Sequence, residues 1–149
     1  MSTTAIGKAA APRSYLSRVM RCATAGLKEG AVVIYDSAVA LGQVKAPTSG
    51  GITGVAGVIV GQQPSAGCAA NADVEVAYAG IVPVQLDATE AVTVGGKLQI
   101  SDVDGSCKAL GTTDSCDIVG VTQITQTAGA ANELIQVLLQ IQFTGDTVP

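Results

Sequence analysis

From residue 31 onward, short apolar runs rich in Val and Ile alternate with clusters of Gly, Asp, Ser and Pro. This rhythm predicts strands over Ala31–Tyr35, Gln43–Ala46, Val55–Gly61, Val74–Ala79, Ile81–Leu86, Lys97–Ser101, Cys107–Leu110, Ile118–Thr125 and Leu134–Phe143. Asp104-Gly105 is the strongest turn signal, because a type I′ hairpin turn needs positive φ at both central residues. Pro83 predicts an edge strand or a bulge, since a proline cannot donate to a ladder. In Lys97–Ser101, Leu98 and Ile100 share one face while Lys97, Gln99 and Ser101 share the other. In the last run, Ile135, Val137, Leu139, Ile141 and Phe143 form an apolar face opposite the mostly polar face of Leu134, Gln136, Leu138, Gln140 and Gln142. Ahead of these runs, Leu16, Val19 and Met20 recur at helical spacing between Ser14, a fair N-cap, and Gly26, a fair stop, which predicts a short helix over 14–25.

The body repeats itself. Gly30–Asp36 (GAVVIYD) matches Gly96–Asp102 (GKLQISD) at an offset of 66, Val55–Val58 matches Ile118–Val121 at 63, and Asn71–Val76 matches Asn132–Val137 at 61. The three matches occur in the same order, with an offset that shrinks as it would if the second copy had shorter loops. The expected architecture is mainly β: a small barrel or sandwich made from two similar β units, about 29–80 and 95–143, behind an extended N-terminal arm.

Charge sharpens that division. Lys8, Arg13, Arg18, Arg21 and Lys28 all lie in the first 28 residues, which hold no acid; the remaining 121 hold three Lys and all twelve acids. A basic arm, 1–28, therefore precedes an acidic body, 29–149, and its five cations are the candidate binding residues. Removing residues 2–25 is expected to leave that body folded. The arm's AIGKAAAPRS segment lacks the continuous apolar stretch of a secretory signal, and no run approaches a bilayer span.

Composition narrows the function. Of 149 residues, 48% are hydrophobic but only 3% aromatic, 13% are charged and none is His, with a net charge of −4. Without His, the commonest general base and zinc ligand is missing. Few rings and net negative charge argue against nucleic-acid binding. So little charge on an aliphatic chain suggests that much of its surface is covered by other subunits.

Candidate chemistry is sparse. Cys22, Cys68, Cys107 and Cys116 form no CxxC pair; the spacing of Cys107 and Cys116 permits a bridge without requiring one, and four small buried hydrophobes are the simpler account. Asp102, Asp104, Asp114 and Asp117 read as turn-forming carboxylates, because a helix–loop–helix calcium site needs a closing Glu and flanking helices. No metal or cofactor site and no active site is expected. For an enzyme, Cys68 and Cys107 would be the first candidates.

The segment from Gly95 to Leu139, with Leu98-Gln-Ile-Ser-Asp-Val-Asp-Gly105, Ile118-Val-Gly-Val-Thr122 and Asn132-Glu-Leu-Ile-Gln-Val-Leu-Leu139, resembles the head-decoration or capsid-cement proteins of tailed bacteriophages. Leu27-Lys-Glu-Gly30, Val58-Ile-Val60 and Val74-Glu-Val76 carry it in the first copy. The resemblance implies a β-rich, non-enzymatic body, a homotrimer on the outer capsid surface of the virion, made in the host cytoplasm. Its partner would be the major capsid protein, with no nucleic acid and no membrane. The alternative is a head-fibre or adhesion module binding a glycan or host receptor, for which Tyr15, Tyr35, Tyr78 and Phe143 are the available rings.

Overall fold

The computed structural model describes residues 15–38, 42–49, 53–111, 116–127 and 130–142. Its elements are β1 (Tyr15–Cys22), β2 (Val32–Tyr35), β3 (Gln43–Lys45), β4 (Val55–Val60), β5 (Ala72–Leu86), β6 (Ala91–Val92), β7 (Lys97–Ile100), β8 (Cys107–Ala109), β9 (Ile118–Thr122), β10 (Gln126–Thr127) and β11 (Glu133–Gln142). Every regular element among the described residues is a strand.

Nine strands join in the order β1-β3-β2-β4-β5-β11-β9-β7-β8, and two further pairings, β1–β5 and β5–β8, fold that order into two rings. The first, β1-β3-β2-β4-β5, is a closed five-stranded barrel, in which β1 lies antiparallel to β5 from Tyr15↔Gly80 to Cys22↔Ala72. The second runs β5-β11-β9-β7-β8 and closes through one parallel register pair, Leu86↔Cys107. The fifteen-residue β5 belongs to both. The pairing senses match: β1 is parallel to β3 as β5 is to β8, and every other step is antiparallel. The repeated unit in space therefore starts at β1 in the first ring and at the second half of β5 in the second.

Two hydrophobic clusters follow from this arrangement. Met20, Cys22, Val33, Val44, Ile59, Val74 and Val76 fill the barrel, with Leu27 and Cys68 closing one end. Val32, Ile34, Val58, Val60 and Ala77, on the barrel's outer wall, pack with Val82, Val84, Leu86, Leu98, Ile100, Val119, Ile135 and Val137 of the second ring. Strand β4 is therefore buried on both faces, which explains its unbroken apolar run VAGVIV.

A bulge in β5 makes the shared strand possible. Leu16 pairs with Ala79 and Ser17 with Ala77, leaving Tyr78 as the extra residue. One extra residue inverts the alternation of faces. Before it, Val74 and Val76 face the barrel; beyond it, Val82, Val84 and Leu86 face the second cluster.

Three expectations are corrected. Residues 15–22 form the strand β1, not a helix over 14–25. Runs 74–79 and 81–86 are one strand, and Pro83 stands inside it opposite Gln136. The Gln85 N–H donates to the Gly30 carbonyl at 2.9 Å, away from β11, so the Pro83 nitrogen two residues earlier points the same way. There β1 has ended and β8 has not begun, and the missing donor costs no ladder bond. Finally, Gln99 is buried rather than turned to solvent, with its Oε1 accepting the Cys116 thiol at 3.1 Å.

Candidate binding surface

The five cations singled out by charge do not act as one tail. Lys8 and Arg13 lie outside the described residues, and Arg18 and Arg21 sit on β1 in the barrel wall. Lys28 follows the turn after β1 and lines an open groove of about 540 Å³ with Glu29, Gln62, Gln85, Asn132 and the apolar Leu134. Arg18 is separated from it by the length of the barrel, because Met20 and Cys22 continue inward from Arg18 toward the end closed by Leu27 and Cys68.

Arg18 occupies the barrel's other mouth. It alternates with Met20 and Cys22, so its side chain stands on the inward face of β1. Tyr35 is paired with the buried Val44, which places its ring on the inward face of β2. Tyr78 is the bulge residue of β5, and bulges re-aim side chains. The three line a cavity of about 360 Å³. The Arg18 guanidinium lies 5.7 Å from the centroid of the Tyr35 ring and 5.8 Å from that of Tyr78, and its Nη2 donates to the Tyr35 hydroxyl at 2.6 Å. Cation–π contact with both rings restricts the guanidinium, and a planar fork with donors to spare is suited to gripping a carboxylate. Leu16, inward by the same alternation, flanks the mouth and is 60% exposed, whereas Val19 stands on the outer face of β1.

The acidic residues have divided roles. Asp117 is buried, and its Oδ2 accepts the N–H groups of Gly54 at 2.7 Å and Val55 at 3.1 Å, fastening the second ring to the start of β4. Asp87 accepts hydroxyl hydrogen bonds from Ser101 and Ser106. Asp102 and Asp104 sit in the turn between β7 and β8, where they accept the N–H of Val103 at 2.7 Å and of Ser106 at 2.9 Å. Asp114 lies outside the described residues. Among those described, no cluster of three metal-ligating side chains occurs.

All four cysteines are buried free thiols. Cys22 and Cys68 each donate to the Thr24 carbonyl at 3.4 Å. Burial pushes the Cys22 thiol up to about 11, and drives Cys107 up as well, there reinforced by the charges of Asp87 and Asp104. Neither is a thiolate nucleophile near neutral pH.

Sequence reasoning found Arg18 by its charge and counted Tyr35 and Tyr78 among the scarce rings, but nothing local joined them. They are 17 and 60 residues from Arg18 in the chain.

These features define a mainly β protein: a closed five-stranded barrel with a second strand ring fused to it through β5. No family model matches the chain, and no curated protein matches it. Among solved structures it is similar to the N base of the head fiber gp8.5 of bacteriophage phi29, with a TM-score of 0.48 and 12% identity over 84% of this chain and 93% of that one.

Proposed function

We propose that this chain is a structural virion protein that sits as a homotrimer on the outer surface of a bacteriophage capsid and ties neighbouring major capsid protein subunits together. The observation that carries this reading is where the decoration-protein resemblance falls. Gly95 to Leu139 runs through β7, β8, β9 and into β11, four consecutive strands of the second ring, so the resembling positions belong to one folded unit. The fused rings supply a stiff body, and the low charge suits a surface that packs on copies of itself. Such a protein works by binding and has no need of an active site.

Residues 1–14, with Lys8 and Arg13, remain the candidate reach element, whereas β1 is part of the body. The test is co-sedimentation with purified empty shells. The intact chain is expected to bind at a fixed copy number per capsomer. A chain lacking residues 2–13 is expected to stay folded and bind at least tenfold more weakly. Absence of shell binding by the intact protein would sink the reading; undiminished binding by the truncated one would remove the arm from it.

A second reading, a head-fibre or adhesion module, is favoured by the exposed Tyr35 and Tyr78, since rings are what glycan sites present. A glycan array with hits abolished by Tyr35→Ala would support it instead.

A further inference from the structure

The barrel mouth gathers the groups that carry most interface energy onto one spot. Arg and Tyr are the residues most enriched at interaction hot spots. This chain has four aromatic rings, and two of them flank one arginine at the surface. Leu16, 60% exposed and on the same face of β1, adds apolar area beside a positive group, a combination that calls for a partner offering a carboxylate next to an aliphatic side chain.

The chain itself carries that counterpart. Beyond Gly80 the sequence holds eight acids and only two cations, so the second ring is the strongly acidic half. Within it, the exposed tip Asp102-Val103-Asp104 sets a half-exposed valine between two exposed carboxylates. The tip is held rigid from below: the Gly105 carbonyl accepts the Val32 N–H at 2.9 Å, and a Cβ on Gly105 would lie 2.6 Å from the Val32 carbonyl. A stiff tip and a restricted guanidinium lose little freedom when they meet.

We infer that the barrel mouth around Arg18, Tyr35 and Tyr78 is the subunit interface of this protein, and that it receives the Asp102–Asp104 tip of a second copy. The contact is head-to-tail, with different surfaces on the two partners, which a closed ring of copies satisfies. This rests on the homotrimer reading above and names the surface that reading lacks. An interface of this charge also disfavours the reverse pairing of two mouths, since the Arg18 of each copy would face its own kind.

The test is a charge swap in the full chain, read by sedimentation equilibrium and by shell co-sedimentation. Wild type is expected to be trimeric. Arg18→Glu is expected to weaken association at least tenfold, and so is the pair Asp102→Lys and Asp104→Lys. Combining all three restores the trimer, an outcome that misfolding cannot produce. Wild-type association should weaken with added salt.

A wild type that stays monomeric at all concentrations overturns the inference, and its shell binding then decides separately whether the virion reading survives. A wild-type trimer that Arg18→Glu leaves intact also overturns it, with the virion reading standing. So does Arg18→Glu that keeps the trimer but loses the shell, because the mouth then docks on capsid. Loss of glycan-array hits in a trimeric Arg18→Glu variant would likewise give the mouth to a sugar.

Discussion

The two rings share one set of hydrogen bonds and differ in how they are closed. Asn71 donates its N–H to the Cys22 carbonyl at 2.8 Å in the first ring, and Asn132 donates to the Leu86 carbonyl at 2.9 Å in the second. Ala23 bonds the Val44 carbonyl at 2.9 Å as Asp87 bonds that of Cys107 at 3.0 Å. Both asparagines are left-handed, at φ 60° and 64°. Gly57 and Gly120 lie equally close to the next strand: a Cβ would sit 2.1 Å from the Ala77 carbonyl oxygen in one and 2.4 Å from that of Leu138 in the other. Yet the first ring is sealed along the whole of β1, while the second is sealed by one residue pair and borrows the barrel's outer wall for its core. One pattern can thus make a self-sufficient barrel or a dependent half-shell, according to the length of the strand that closes it.

Removing the closing strand should have the largest effect. Deletion of residues 2–25 takes out β1 with Met20 and Cys22, and circular dichroism should show loss of the folded state, contrary to the expectation drawn from charge alone. A folded, cooperative product would mean that the barrel is not the foundation of the molecule. Asp117→Ala comes next. It strands two backbone donors of the barrel, at Gly54 and Val55, and should lower the unfolding free energy by about 3 kcal/mol in urea titration. Asp117→Asn keeps one acceptor and should cost less.

Matched substitutions probe the two rings at equivalent positions. Asn71→Ala and Asn132→Ala each force a left-handed residue without its compensating side chain, at about 1 kcal/mol apiece, whereas Gly at either site should be close to neutral. If the second ring leans on the first, Asn132→Ala should also speed amide exchange in β9 and β11 while sparing β4. The smallest effect is the response to alkali. Burial raises the Cys22 thiol to about 11 from an ordinary value of 9.0, so the unfolded chain loses that proton first. Stability from this group is complete below pH 9 and is lost as pH rises through 11. Thermal melts between those values should fall more steeply for wild type than for Cys22→Ala.

Much of the fold was legible. Alternation along residues 134–142 places Ile135, Val137 and Leu139 in the core, as the structure does. Residues 15–22 misled because exposed apolar residues imitate a helix: Leu16, Val19 and Met20 have helical spacing, but Leu16 is exposed at the barrel mouth, Val19 is exposed on the outer face of β1, and only Met20 is buried. Gly80 suggested a break in β5, because no local signal reveals that β1 and β11 both pair at that glycine. Gln99 and Asp117 looked like surface groups, since a polar side chain reads as buried only once its distant partner is known. For the same reason charge pointed to Arg18, but not to the two tyrosines that hold it.

The shared strand β5 also decides how the molecule carries a load. Its backbone runs unbroken from one ring into the other, so a pull on the barrel reaches the second half through covalent bonds. Along β1 and β11 that pull acts lengthwise, across hydrogen bonds that must rupture together instead of unzipping one by one. A body strung on a common rod in this way behaves as a single rivet and not as two beads on a thread.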